Sequence, residues 1–201
     1  MVAAFVCGVL ALTANIGIIL ASGSPRRAEL LTQIGVSFQV VPADIDETPV
    51  QGEAADAYVQ RMASEKAAAV AKLFPNRLVL AADTSVIVDG EIWGKPLSRQ
   101  HAKVMLNSLS GRSHQVMTAL AVHSAGGVEQ DLSVTEVVFA ELSAAQIDTY
   151  VDSGDADDKA GAYGIQGAAG RFVKHLSGSY SGVMGLPLYE TAVLLDKAGM
   201  K

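Results

Sequence analysis

Apolar and polar positions along this chain change period several times, and each change marks an element. Ile16–Ala21 is apolar without alternation, as a fully buried strand requires, and it stops at Ser22-Gly23-Ser24-Pro25. Ser24 is a good N-cap and Pro25 suits the first helical position. A helix is therefore predicted over Pro25–Ile34, closed by Gly35. Val36–Val41 reads as a strand in which polar Ser37 and Gln39 alternate with apolar neighbours. An acidic loop, Ala43–Gly52, carries Asp44, Asp46 and Glu47. A long helix is expected from Ala54 to Phe74, stopped by Pro75. Val59, Met62, Ala63, Val70, Leu73 and Phe74 form its apolar stripe, and at about 100° per residue Lys66 falls near the middle of it.

Leu78–Ala82 reads as a buried strand that delivers Asp83-Thr84 at its end. Ser85–Val88 and Glu91–Trp93 flank Asp89-Gly90, a type I′ hairpin signal. Gly94-Lys95-Pro96 breaks the chain, and Ser98 caps a helix reaching Leu109. Val116–Val122 and Val134–Phe139 are expected to form a second hairpin around Gly126-Gly127. Ser143 with Gln146 forms a capping box for a short helix ending near Gly154. Glycine-rich Gly161–Gly170 precedes a strand at Phe172–Leu176. A second flexible loop, Gly178–Gly185, precedes a last helix over Pro187–Lys197. Strand–helix units come first and hairpins follow, which points to an α/β fold with a mixed twisted sheet and flanking helices.

Composition narrows this picture in three ways. The 201 residues are 50% hydrophobic and 18% charged, the balance of a chain that buries a sizeable core. The net charge of −6 lacks the basic face that nucleic-acid binding needs, yet leaves room for a small anion held by a few local cations. One cysteine, Cys7, allows no internal disulfide and no cysteine cluster for zinc, so a reducing cytoplasm is the simplest setting. Val2–Ala21 is apolar enough to be weighed as a membrane span or a signal segment. No Lys or Arg precedes it, and Gly8, Thr13, Asn15 and Gly17 interrupt it. The favoured organisation is an N-terminal extension at residues 1–15 and a single domain over 16–201, with a membrane partner disfavoured.

Candidate chemistry concentrates where strands and helices meet loops. Acidic side chains usually fill the first turn of a helix, so Arg26 and Arg27 oppose the helix dipole unless an external anion neutralises them. A surface Arg pair is the ordinary alternative. Lys66 on an inward face either snorkels to solvent, the commoner outcome, or holds an anion. Asp83 at a strand end would project into a crevice. With Glu47 it could hold Mg²⁺, which takes one or two carboxylates plus water and phosphate oxygens. Lys95 and Lys159 are further cations, each also readable as a surface residue. No phosphate-binding lysine loop and no dinucleotide-binding glycine motif is present. Ser22 and Ser24 raise a serine-nucleophile alternative, but no G-x-S-x-G elbow accompanies them. The residues alone thus indicate an anion site suited to phosphate chemistry.

These pieces together resemble the Maf family of nucleoside triphosphate pyrophosphatases. The resemblance is carried by Leu20–Arg27 with Glu29-Leu30-Leu31, Asp44–Glu47, Glu65-Lys66-Ala67, Ala82-Asp83-Thr84, Gly94-Lys95-Pro96, Asp158–Gly167, and Gly178-Ser179-Tyr180 with Gly185-Leu186-Pro187. It implies two lobes around a cleft, a fold similar to inosine triphosphate pyrophosphatases, a homodimer, and a divalent metal (Mg²⁺ or Mn²⁺). It also implies hydrolysis of a nucleoside triphosphate between its α and β phosphates. By the same resemblance Asp83 is the proton acceptor, with Lys66 and Lys95 beside it, and Glu47 joins Asp83 at the metal. Ser22, Arg26, Arg27, Thr84, Gln166 and Lys159 bind substrate. Arg26, Thr84 and Gln166 match the subfamily acting on dTTP, UTP and modified forms such as 5-methyl-UTP. A link to inhibition of septum formation comes with the family. The alternatives are a 7-methyl-GTP-specific enzyme, a non-catalytic nucleotide-binding regulator of division, and the serine hydrolase. The chain departs from the family pattern at Ala156-Asp157 and Gly182.

Overall fold

One mixed seven-stranded sheet organises residues 17–200, the part of the chain that the computed structural model describes. The extension expected at residues 1–15, and Ile16 of the first strand, lie outside them. Strands β1 (Ile18–Leu20) and β2 (Phe38–Val40) run parallel, joined by helix α1 (Pro25–Gln33). Helix α2 (Ala55–Ala71) leads to β3 (Val79–Val88), which pairs parallel with β1. The other strands pair antiparallel: β4 (Glu91–Trp93), β5 (Ser113–Ser124), β6 (Gly127–Phe139) and β7 (Val173–Ser177). Along the sheet the order is β2-β1-β3-β5-β6-β7, with β4 on the far half of β3. The expected mixture of parallel and antiparallel pairing is what forms.

Each face of the sheet has its own core. Ile19, Val79, Ala81, Ala119 and Ala121 bury one face against Val59, Met62, Ala63 and Val70 of α2. The small residues on the strands let this helix approach closely. On the opposite face Leu20, Leu80, Leu120 and Phe139 pack against α1, α3 (Arg99–Leu109), α4 (Ala144–Asp152) and α6 (Leu188–Lys197). The local signals worked as expected at several ends. Ser98 Oγ accepts from the His101 N–H, and both halves of the Ser143/Gln146 capping box are made. Asp89 and Gly90 both adopt positive φ (52° and 83°), as a type I′ turn requires.

Four expectations need correction. Asp83 does not end a strand; it is the fifth residue of the ten-residue β3, because β5 supplies a ladder partner for every residue from Val79 to Ile87. The second hairpin is longer than its apolar pattern, since its polar ends are paired as fully as its apolar middle. The segment Gly178–Gly185 contains a short helix, α5 (Tyr180–Met184), capped by Ser179. Helix α2 stops at Ala71, so Leu73 leaves the apolar stripe and is 69% exposed. Among the described residues no helix is long and apolar enough to cross a membrane.

Candidate active site

Strand β3 is contacted on one side by two different short strands. β1 pairs with Val79 and Leu80, and β4 pairs with Val86, Ile87 and Val88. Residues 82–85 between them have a strand partner only on the β5 side. The sheet is therefore notched, and a cleft of about 1220 Å³ opens there. Every candidate named from the sequence (Ser22, Arg26, Arg27, Glu47, Lys66, Asp83, Thr84, Lys95, Lys159 and Gln166) lines this one cleft.

Alternation along β3 sends neighbouring side chains to opposite faces. Asp83 points to the α2 face and meets Lys66, whose ammonium lies 2.7 Å from Asp83 Oδ1 and 2.8 Å from Glu47 Oε1. Lys66 does not snorkel: it is 8% exposed and bridges two carboxylates. Glu47 remains mostly exposed to the cleft, while Asp83 is buried. Thr84 points to the other face and meets Arg27. That guanidinium donates from Nε to the Gly185 carbonyl (2.8 Å), from Nη1 to Ser22 Oγ (3.1 Å) and from Nη2 to Thr84 Oγ1 (3.2 Å). Burial lowers its pKa, and the nearby Asp83 carboxylate opposes that shift; it stays charged throughout the physiological range. A cation from each layer of the fold thus reaches the notch from opposite sides.

The remaining cations are arranged differently. The side chains of Arg26 and Lys95 make no hydrogen bond or ion pair among the described residues, and Lys95 is exposed. Lys159 Nζ donates to Asp158 Oδ1 (2.6 Å) and to the Asp155 carbonyl (2.7 Å), and its hydrogen bond holds the Asp158 carboxyl below its usual range. Gly161 has φ +68°, and a Cβ there would lie 2.7 Å from Val86 Cγ2. Only glycine lets this segment fold back against β3 and carry Lys159 and Gln166 to the cleft. Gln166 is exposed on that segment. Ser22 Oγ accepts from Arg27 and from the Ser24 N–H, and no histidine lines the cleft among the described residues, so a serine nucleophile there would have no histidine base.

Tyr58 and Tyr163 also line the cleft, and the sequence assigned neither a role there. Tyr58 Oη donates to the Glu47 carbonyl at 2.8 Å, tying the acidic loop to α2; burial and the nearby Asp83 push its hydroxyl pKa up to about 12. Its signal was present, since Tyr58, Met62 and Lys66 follow one another at helical spacing on one face. Tyr163 is buried at the cleft against His114 and carried no local signal. The donor set suits a hard divalent cation: two carboxylates converge at the notch, one of them facing the cleft. Among the described residues no group of three or more His, Cys, Asp or Glu converges.

The family described as Maf-like protein matches residues 17–198. A dTTP/UTP pyrophosphatase of Chromobacterium violaceum is 52% identical over 189 residues, covering 92% of this chain and 96% of that protein. A dTTP/UTP pyrophosphatase of Methylobacillus flagellatus is 55% identical over 185 residues, covering 91% and 93%. Among solved structures, the Ham1 protein of Staphylococcus aureus is 19% identical and covers 62% of this chain and 72% of that one, with a TM-score of 0.46.

Proposed function

This chain belongs to the Maf family and is a nucleoside triphosphate pyrophosphatase, and we propose that its substrates are dTTP and UTP, cleaved between the α and β phosphates to nucleoside monophosphate and pyrophosphate. The single observation that carries this reading is the convergence of Asp83 and Glu47 on Lys66 at the notch in the sheet, with Arg27 opposite. Cations alone would bind a polyphosphate; a buried carboxylate among them supplies a place for a proton.

Asp83 accepts the proton of the attacking water, and Lys66 holds that carboxylate in place. Arg26, Lys95 and Lys159 meet the phosphates and offset the charge that grows on them in the transition state. Glu47 and Asp83 would hold a divalent cation, Mg²⁺ or Mn²⁺, together with phosphate oxygens and water. Such a cation, when bound, draws charge from the phosphoryl oxygens. Gln166 reads the pyrimidine edge, because an amide both donates and accepts, as a uracil-type ring does. The reading extends to modified forms such as 5-methyl-UTP, to a homodimer in a cytoplasmic setting, and to a house-cleaning role linked to septum formation.

The test is pyrophosphate release from dTTP, UTP, 5-methyl-UTP, CTP, GTP, ITP and 7-methyl-GTP, with Mg²⁺ and with chelator. Metal-dependent release from dTTP and UTP is expected. A preference for 7-methyl-GTP would overturn the substrate assignment, and no release by folded protein would favour a nucleotide-binding regulator.

A further inference from the structure

Three hydroxyls stand in one row across the apolar face of the sheet that carries α5. Thr84 on β3 is directly opposite Thr118 on β5, and Thr118 is directly opposite Ser133 on β6. The rows on either side of the Thr84/Thr118 pair are apolar: Ala82 faces Leu120, and Val86 faces Val116. Thr118 is 1% exposed. A valine would fill the same volume there without burying a hydroxyl, so packing alone gives no reason for threonine.

The direction of each hydrogen bond can be deduced. A carbonyl only accepts, so the single Thr118 proton goes to the Gly182 carbonyl of α5 (2.8 Å). Thr118 Oγ1 is also 3.0 Å from Thr84 Oγ1, and Thr84 must therefore be the donor. Thr84 in turn accepts from Arg27 Nη2. Arg27 Nε donates to the Gly185 carbonyl, and the Gly185 N–H donates to the Gly182 carbonyl at 2.9 Å. The chain of bonds closes on itself through α5. Glycine at residue 182 eases this approach: a Cβ there would lie a tight 3.1 Å from Ser179 Cβ and 3.3 Å from Ser133 Oγ. The departure from the family pattern at Gly182 thus falls where this segment meets the row of hydroxyls.

We infer that Thr118 is a positioning residue for the reaction: through the closed circuit Arg27–Thr84–Thr118–Gly182 it sets the placement of Arg27 at the notch. The circuit occupies two of the five guanidinium N–H groups and Ser22 takes a third, which fixes the direction of the others. Thr84 has already given its only proton to Thr118, so it influences the substrate through Arg27 rather than as a donor of its own. This inference rests on the pyrophosphatase reading above.

The experiment compares Thr118→Val, which keeps the shape and removes the hydroxyl, with Thr118→Ser, which keeps the hydroxyl. Pyrophosphate release from dTTP and UTP is measured per folded molecule, with thermal unfolding in parallel. Thr118→Val is expected to lower kcat about tenfold or more with a smaller change in KM, and Thr118→Ser to recover most of it. Thr84→Val breaks the same circuit at the cleft and tests the inference even if Thr118→Val fails to fold. The Thr84→Val/Thr118→Val double variant should be no slower than the slower single variant. A folded Thr118→Val with unchanged kcat and KM, or losses that multiply in the double variant, would overturn the inference. Wild-type protein that releases no pyrophosphate from any triphosphate would defeat the enzymatic reading, and this inference with it.

Discussion

The Lys66 ammonium lies 2.7 Å from Asp83 Oδ1, with the two side chains only 10% and 9% exposed. The partners are unequal, because Lys66 has a second carboxylate, Glu47 Oε1 at 2.8 Å, and is the only cation ion-paired with Asp83 among the described residues. Losing one side of a buried pair strands the other charge.

Asp83→Asn should therefore abolish pyrophosphate release while leaving the fold intact, since Lys66 keeps Glu47 and the amide keeps the shape. Lys66→Met should also abolish release, and in addition cost about 2–3 kcal/mol of stability, below the figure for a fully enclosed pair because the cleft admits water. Urea unfolding of the two variants, alongside activity, checks the order. A more destabilised Asp83→Asn would contradict this account of the pair.

The proposed metal dependence rests on the same carboxylates. EDTA should stop turnover, and added Mg²⁺ should restore it. Glu47→Gln should raise the Mg²⁺ concentration needed for half-maximal rate by about tenfold. An unshifted Mg²⁺ titration would remove Glu47 from the metal site.

Base choice should depend on Gln166 more than rate does. Gln166→Ala is expected to bring the kcat/KM values for dTTP and UTP closer to those for CTP and GTP, because the site then has no paired donor and acceptor to satisfy. An equal loss on all substrates would place Gln166 elsewhere in the mechanism.

His114 gives a pH signature of stability. It is buried, its Nε2 is 2.7 Å from the Tyr163 hydroxyl, its ring meets Phe139 edge-on, and burial pulls its pKa down to about 4. The unfolded chain takes up that proton near pH 6.5, the folded one only near pH 4. Stability should rise with pH across that window, by roughly 3 kcal/mol for this group, and be unaffected by it above. His114→Phe should flatten the slope. An unchanged slope in denaturant titrations between pH 4 and 6.5 would exclude His114 as its source.

Several site residues were legible for local reasons. Arg26 and Arg27 stand out because they oppose the dipole of their own helix, and Lys66 because it interrupts an apolar stripe. Their partners were not legible. Taken alone, Lys66 reads more readily as snorkelling than as a site residue, since nothing near it in the chain announces the Asp83 and Glu47 carboxylates. The contacts of Tyr163 and Thr118 gave no signal, because they reach His114 and Gly182 across 49 and 64 residues.

The sequence by itself determined most element types, most helix starts and the turn at Asp89-Gly90, because these rest on periodicity and on contacts within one or two turns of the chain. It also determined the family, through motifs spread from β1 to α6. Only the tertiary structure decided that β3 continues through Asp83 and that Gly178–Gly185 folds into a helix on a row of hydroxyls. It alone opened the notch between β1 and β4. A strand's length depends on whether a neighbour offers hydrogen bonds, and a buried hydroxyl or charge depends on what lies across the sheet. Neither is written in the residues next to it.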